Sequence, residues 1–340
     1  MPDKPPEKPK VACYWCAACG GCEESVVDLA EGLLDVLAAV DLVFWPVALD
    51  VKRPDVEALP DGALACSLVN GAIRSAEQAE MVHLLRKKSQ VVIAYGACAH
   101  LGGIPGLANQ FSREQLLQCV YEEAPSTQNP AKTRPLEQYQ ENGRVVTLPA
   151  LWAHVRTLDQ VIPVDYYLPG CPPTPTLLGQ ALTALLAGTL PPPGTVLAPD
   201  LALCAECPRK DSKPPDLTFT AFKRPHQALA DPATCLLAQG FVCLGPATRG
   251  GCGALCVQGN MPCSGCFGPT SRVQDQGAKI LSSLCANLGP TEAVEIDRVL
   301  ATIPDPVGTF YRYGLAGSLL RGRVADPLAR QEGTGPCQSP

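Results

Sequence analysis

Residues 11–40 read VACYWCAACGGCEESVVDLAEGLLDVLAAV, and their pattern decides the fold class. Residues 11–15 form a short apolar and aromatic run of strand length. The Gly20-Gly21 pair interrupts it, after which Val26, Val27, Ala30, Leu33, Leu34, Leu37 and Val40 recur at helical spacing. Strand, glycine turn and helix together open a parallel α/β unit. The same alternation continues downstream, with strand runs at 42–45, 64–69, 91–95 and 164–168. Helical spacing returns through Ala79, Val82 and Leu85 and again over 176–187. The expected fold class is therefore α/β, built on a parallel sheet.

Working outward, residues 1–10 are rich in Pro, Lys and Glu and are expected to be a flexible arm. The segment LPPPGTVLAPD at 190–200 has three consecutive prolines and a glycine, which cannot continue a helix and suit a semi-rigid linker. A boundary there gives a sheet domain at 11–190 and a smaller, irregular cysteine-rich domain at 191–325. Helices are expected at 272–288 and near 291–301, and 326–340 reads as a frayed tail.

Cysteine is the compositional outlier, with 18 residues against 4 His and 3 Met. The opening MPDKPPEKPKVACYW has no charged-then-apolar export segment and no twin-arginine signal, so a reducing cytoplasm is the expected setting. There, clustered thiols point to metal or catalysis, whereas disulfide frameworks belong to short secreted chains. A net charge of −6 and a pI near 5.3 leave no basic stripe, which argues against a nucleic-acid partner. The longest apolar helical run, 177–190, is too short for a direct membrane span.

Cys19 and Cys22 occupy the glycine turn after the first strand, Cys98 follows a strand in YGACAHLGG, and Cys171 follows another in YLPGCPP. In an open α/β sheet the carboxyl ends of strands line one crevice, so these four thiols are expected to converge. The plain alternative is that Cys98 and Cys171 are buried small hydrophobes. Cys13 reads as core, and Cys16 is near enough to Cys19 to compete as a ligand. Beyond the linker, eight cysteines fall within 63 residues, enough for two four-ligand sites. Cys252, Cys256, Cys263 and Cys266 form one compact set; Cys204, Cys207, Cys235 and Cys243 form the other. Four thiolates also suit structural zinc. Proline or glycine beside the ligands, as in Cys207-Pro208, Pro262-Cys263 and Gly265-Cys266, favours iron-sulfur loops. Cys66, Cys119, Cys285 and Cys337 show no partner pattern and read as core or surface thiols. His83, His100, His154 and His226 show no ligand spacing.

The ordered series CGGCE, GACAHLGGIPG, LPGCPP, CAECPRK, CLGPATRGGCGALC and PCSGCFGP, with NGAIRSAEQAEMVHLLRKKS between the first two, closely resembles the small subunit of nickel-iron hydrogenases. The likeness runs over about residues 11–320 and is greatest to the cytoplasmic methyl-viologen-reducing, heterodisulfide-reductase-linked type. It implies a flavodoxin-like sheet domain followed by an iron-sulfur domain, and three 4Fe-4S clusters. The proximal cluster would use Cys19, Cys22, Cys98 and Cys171, the medial one Cys252, Cys256, Cys263 and Cys266, and the distal one Cys204, Cys207, Cys235 and Cys243. The implied partners are the large subunit that holds the nickel-iron centre and a further electron-accepting iron-sulfur or flavin subunit of heterodisulfide-reductase type. Many relatives place histidine where Cys204 stands, and others hold a three-iron medial cluster that Cys256 would complete here. Each added thiolate lowers a cluster's potential.

Within this resemblance, Arg209 and Lys210 would steer an acidic partner or be a plain solvated pair. Glu23 would assist proton exit or simply favour its helix dipole. Two rival readings are a quinone-coupling iron-sulfur subunit of a respiratory dehydrogenase and a zinc-stabilised scaffold. The first normally lacks the carboxyl-terminal cysteines and carries adjacent cysteines in its first ligand pair.

Overall fold

The structure, a computed structural model, describes residues 8–322. Its strands are β1 (Lys10–Trp15), β2 (Asp41–Phe44), β3 (Leu64–Asn70), β4 (Ile73–Ser75), β5 (Ser89–Tyr95), β6 (Gln138–Glu141), β7 (Arg144–Thr147), β8 (Leu151–Arg156), β9 (Tyr166–Leu168) and β10 (Thr195–Val196). Six of them make one sheet in the order β10-β9-β5-β3-β1-β2, and every neighbouring pair is parallel. Five of those strands follow the flavodoxin-like order, with β10 added at the β9 edge. The α/β expectation holds. Two short antiparallel pairs, β4 with β8 and β6 with β7, stand apart from this sheet.

The sheet helices are α1 (Gly21–Val27), α2 (Gly32–Ala39), α3 (Arg53–Glu57), α4 (Ala76–Lys88), α5 (Ala97–Leu101), α6 (Arg113–Gln118) and α7 (Pro175–Leu186). The single helix expected across 26–40 is broken in two. Tight closures from the Ala30 N–H to the Val27 carbonyl and from the Gly32 N–H to the Leu29 carbonyl leave Ala30 left-handed, with φ 51°. Helix α4 starts on a reciprocal cap: the Gln78 N–H donates to Ser75 Oγ while the Ser75 N–H donates to Gln78 Oε1. In the proline-rich segment, Thr195 and Val196 pair with Tyr166 and Tyr167, so part of the expected linker is sheet edge.

One face of the sheet buries Phe44, Val56, Val69, Val82, Leu85 and Leu158. The other buries Val26, Leu68, Ile93, Tyr95, Leu178 and Leu182, together with Phe267 from the cysteine-rich region. That region has its own core of Leu203, Phe219, Phe241, Ile280, Leu284 and Phe310. Its helices are α8 (Leu255–Gln258), α9 (Gln276–Cys285), α10 (Ala293–Leu300) and α11 (Pro306–Phe310), and turns carry the rest. Among the described residues, no helix is long and apolar enough to cross a membrane.

Candidate metal centre

Three strands deliver the first thiol group. The chain leaves β1 and enters α1 through Cys19 and Cys22; β5 ends one residue before Gly96 and the α5 turn that carries Cys98; and β9 ends shortly before Cys171. Burial pushes the Cys22 thiol up, and Cys98, Cys171 and Cys19 push it further, so the four lie in one another's field. Cys98 is pushed up to about 12 by burial, then by Cys171 and Cys19, against a hydrogen bond from the Ile104 amide. The sulfurs press onto bare backbone. A Cβ on Gly96 would stand 2.3 Å from Cys22 Sγ, and one on Gly103 2.3 Å from Cys98 Sγ.

A second group gathers Cys204, Cys207, Cys235 and Cys243. Cys204 is pushed up to about 12 by burial first and then by Cys243 and Cys207, with a smaller contribution from Cys235. The space over Gly245 lies 3.3 Å from Cys204 Sγ and 3.7 Å from Cys243 Sγ. The third group gathers Cys252, Cys256 and Cys266, with Cys263 beside Cys266. Cys266 is pushed up to about 12 by burial, with Cys171, Cys252 and Cys256 adding. The Ala254 and Leu255 amides oppose the rise at Cys252, and the Gly265 amide opposes it at Cys263.

Backbone amides connect the groups in series. The Cys171 amide opposes the rise at Cys266, which sets the first group against the third. The Cys263 N–H donates to Cys243 Sγ at 3.3 Å, joining the third to the second. Amide hydrogen bonds to sulfur are what iron-sulfur clusters receive from their proteins. Four thiolates on one zinc would each sit about 2.3 Å from it and crowd together. The donor set, four thiols to a group with backbone amides opposing their rise, is of the kind that iron-sulfur clusters take, each thiolate binding its own iron.

Several expectations change. Cys16 does not join Cys19: it is buried in the core with Phe44 and Val56, and its N–H donates to the Asn70 carbonyl at 2.8 Å. As expected, Cys13 and Cys66 are core residues, on the opposite face, and Cys285 is a surface thiol. Cys119 is disulfide-bonded rather than a lone thiol, and Cys337 and the tail at 326–340 lie outside the described residues. Arg209 is no solvated charge: it is 5% exposed, while Lys210 beside it is open to solvent. Glu23 is buried and accepts from Trp45 Nε1 at 3.1 Å; burial raises its pKa against bonds from Trp45 and Asn70. His100 is buried, with its ring centroid 4.6 Å from that of Tyr167. Its pKa falls to about 4, chiefly by burial, which leaves the ring neutral.

Two neighbours of the thiols carry no signal in sequence spacing. Glu206 accepts the Gly251 N–H at 3.0 Å and lies 3.9 Å from Cys252 Sγ. Tyr313 packs near Cys171 and Cys266, and its carbonyl accepts the Gly103 N–H at 2.9 Å.

Comparison with known proteins gives a consistent picture. Residues 19–185 match the family described as the NADH ubiquinone oxidoreductase 20 Kd subunit. The chain is 38% identical to the F420-non-reducing hydrogenase iron-sulfur subunit of Archaeoglobus profundus, over 93% of this chain and 98% of that protein. It is 39% identical to an F420-non-reducing hydrogenase vhu subunit of Methanocaldococcus jannaschii, over 93% and 98% of the two chains. Among solved structures, a NiFeSe hydrogenase chain from Dm. baculatum shares the fold at TM-score 0.50 and 19% identity, over 77% of this chain and 95% of that one.

Proposed function

We propose, for a chain that belongs to the F420-non-reducing hydrogenase family of nickel-iron hydrogenase small subunits, that its three thiol groups hold three 4Fe-4S clusters in series. As a member of that family it is the electron-transferring subunit of a hydrogenase, an oxidoreductase whose catalytic site lies on the large subunit it pairs with. The observation that carries the proposal is the Cys263 N–H bond to Cys243 Sγ, together with the Cys171 amide set against Cys266, which place the groups in one line.

In this reading Cys19, Cys22, Cys98 and Cys171 hold the proximal cluster, Cys252, Cys256, Cys263 and Cys266 the medial one, and Cys204, Cys207, Cys235 and Cys243 the distal one. When bound, the clusters would carry electrons one at a time. The chain's residues keep water from the buried sulfurs and aim amides at them, which sets the potentials. The outlet is a further iron-sulfur or flavin subunit. The quinone-coupling reading loses ground because the archaeal hydrogenase relatives cover the cysteine-rich region as well as the sheet. Among the described residues, sixteen free thiols favour a reducing cytoplasm, against the disulfide at Cys119.

The test is metal analysis of the anaerobically purified protein. Three four-iron clusters require about twelve iron and as much acid-labile sulfide per chain; zinc without sulfide would overturn the reading. Cys256→Ser is expected to alter the medial signals alone, seen by electron paramagnetic resonance. A three-iron medial cluster already present in the unaltered protein would remove Cys256 from the ligand set.

A further inference from the structure

Arg209 is one of two arginines buried to about the same depth in the cysteine-rich half, at 5% exposure against 4% for Arg249. Arg249 has an ionic partner, Asp200 Oδ1 at 2.9 Å. Arg209 has four acceptors and all are neutral: the Asp231 carbonyl at 3.2 Å, the Thr234 carbonyl at 3.4 Å, the Val257 carbonyl at 3.1 Å and Asn260 Oδ1 at 2.8 Å. Among the described residues no carboxylate forms an ion pair with it. The exposed Asp231 carboxylate accepts from Thr234 Oγ1 and from the Ala233 N–H; Arg209 helps to hold its pKa low but forms no ion pair with it.

A guanidinium cannot shed its proton, so this charge is permanent. A buried charge is unfavourable unless an opposite charge or a close set of dipoles compensates it. Four dipoles and an exposed carboxylate compensate Arg209 only in part, and its place says where a further negative charge would sit. Thr234 directly precedes Cys235 and Val257 directly follows Cys256. The guanidinium therefore clamps a segment of the distal thiol group to a segment of the medial one. The carbonyl of Arg209 also accepts from Ser212 Oγ at 2.7 Å, and that oxygen accepts the Cys235 N–H at 2.7 Å.

We propose that Arg209 is a positioning residue for electron transfer, the fixed counter-charge shared by the distal and medial cluster sites. This rests on the three-cluster reading. A fixed positive charge favours the reduced, more negative state of both clusters at once. It raises their potentials together and keeps the step between them level. The proximal site is held by the sheet domain, whereas the hydrogen bonds of Arg209 are all to residues 212–260.

The test is a redox titration followed by electron paramagnetic resonance, on the small subunit purified anaerobically with its large subunit, for Arg209→Gln and Arg209→Lys. In Arg209→Gln the distal and medial reduction equilibria are expected to shift about tenfold toward oxidised, about 59 mV for a one-electron couple. The proximal signal should stay in place. Arg209→Lys keeps the charge while losing the forked hydrogen bonds, and should restore most of that shift. If Arg209→Gln sheds distal iron, retention of the cluster in Arg209→Lys supports the charge role. Loss from both variants overturns it, leaving Arg209 a mechanical strap. Equal shifts in both variants, or unchanged potentials in Arg209→Gln at full iron content, also overturn it while leaving the three-cluster reading intact. Absence of iron and sulfide from the unaltered complex would instead defeat that reading.

Discussion

On the three-cluster reading, Gly96→Ala is expected to lose the proximal cluster and, with it, hydrogen-dependent reduction of dyes, while the medial and distal iron remains. The methyl group would be built 2.3 Å from Cys22 Sγ, inside any allowed contact. Relief by flexing is blocked, because the same position is 3.5 Å from the Gly170 carbonyl and 3.6 Å from Pro173 Cδ. Overpacking of this kind costs about 1–3 kcal/mol. The backbone at φ 87° and ψ 165°, a region essentially confined to glycine, adds about 1–3 kcal/mol for an L side chain. Displacing one sulfur of a four-thiolate site should weaken cluster retention by about 10–100-fold, the range for disturbed support around metal ligands. Gly62→Ala is the control. It also has a positive φ, +73°, but has nothing within 4 Å of the added carbon. It should lose some stability and keep all its iron. If Gly96→Ala retained as much iron as Gly62→Ala, the packing of Cys22 against bare backbone would not matter to the site.

Phe267→Ala should be the most destabilising substitution between the two halves of the chain. Phe267 follows Cys266, yet its ring is 2% exposed and shares the sheet domain's core with Tyr95, Leu168 and Leu178. Removing such a ring costs about 3–5 kcal/mol, partly from lost transfer energy and partly from the cavity left behind. Calorimetry and denaturant titration should both show the drop. The functional consequence is specific. The placing of the Cys171 amide against Cys266 depends on the register that Phe267 pins. Hydrogen-dependent reduction of a dye that takes electrons at the proximal end should survive below the new melting temperature, whereas onward transfer slows. Phe267→Leu, which keeps an apolar side chain there, should lose less of both. A wild-type unfolding midpoint in Phe267→Ala would show that the halves are held together elsewhere.

What the sequence determined by itself was everything with a short repeat or a local signature. Strand-length apolar runs beside helical spacing specified the parallel sheet, because side-chain periodicity follows directly from backbone geometry. Cysteine spacing with adjoining glycine and proline separated twelve thiols with a shared pattern from Cys13, Cys66 and Cys285. What only the tertiary structure decided has no local origin. Residues 26–40 satisfy helical spacing throughout, and the break at Ala30 appears only in the hydrogen-bonded chain. Cys16 lies three residues from Cys19, but the direction in which the chain leaves β1 sends it into the opposite core. Arg209 looks like half of a surface pair beside Lys210 until the folding of 231–260 around it removes it from water. The order proposed for the thiol groups rests on two amides, Cys171 and Cys263, set against sulfurs far from them in sequence. Spacing reports which residues share a turn, whereas burial, direction and charge compensation depend on what the rest of the chain packs against them, and that is settled only on folding.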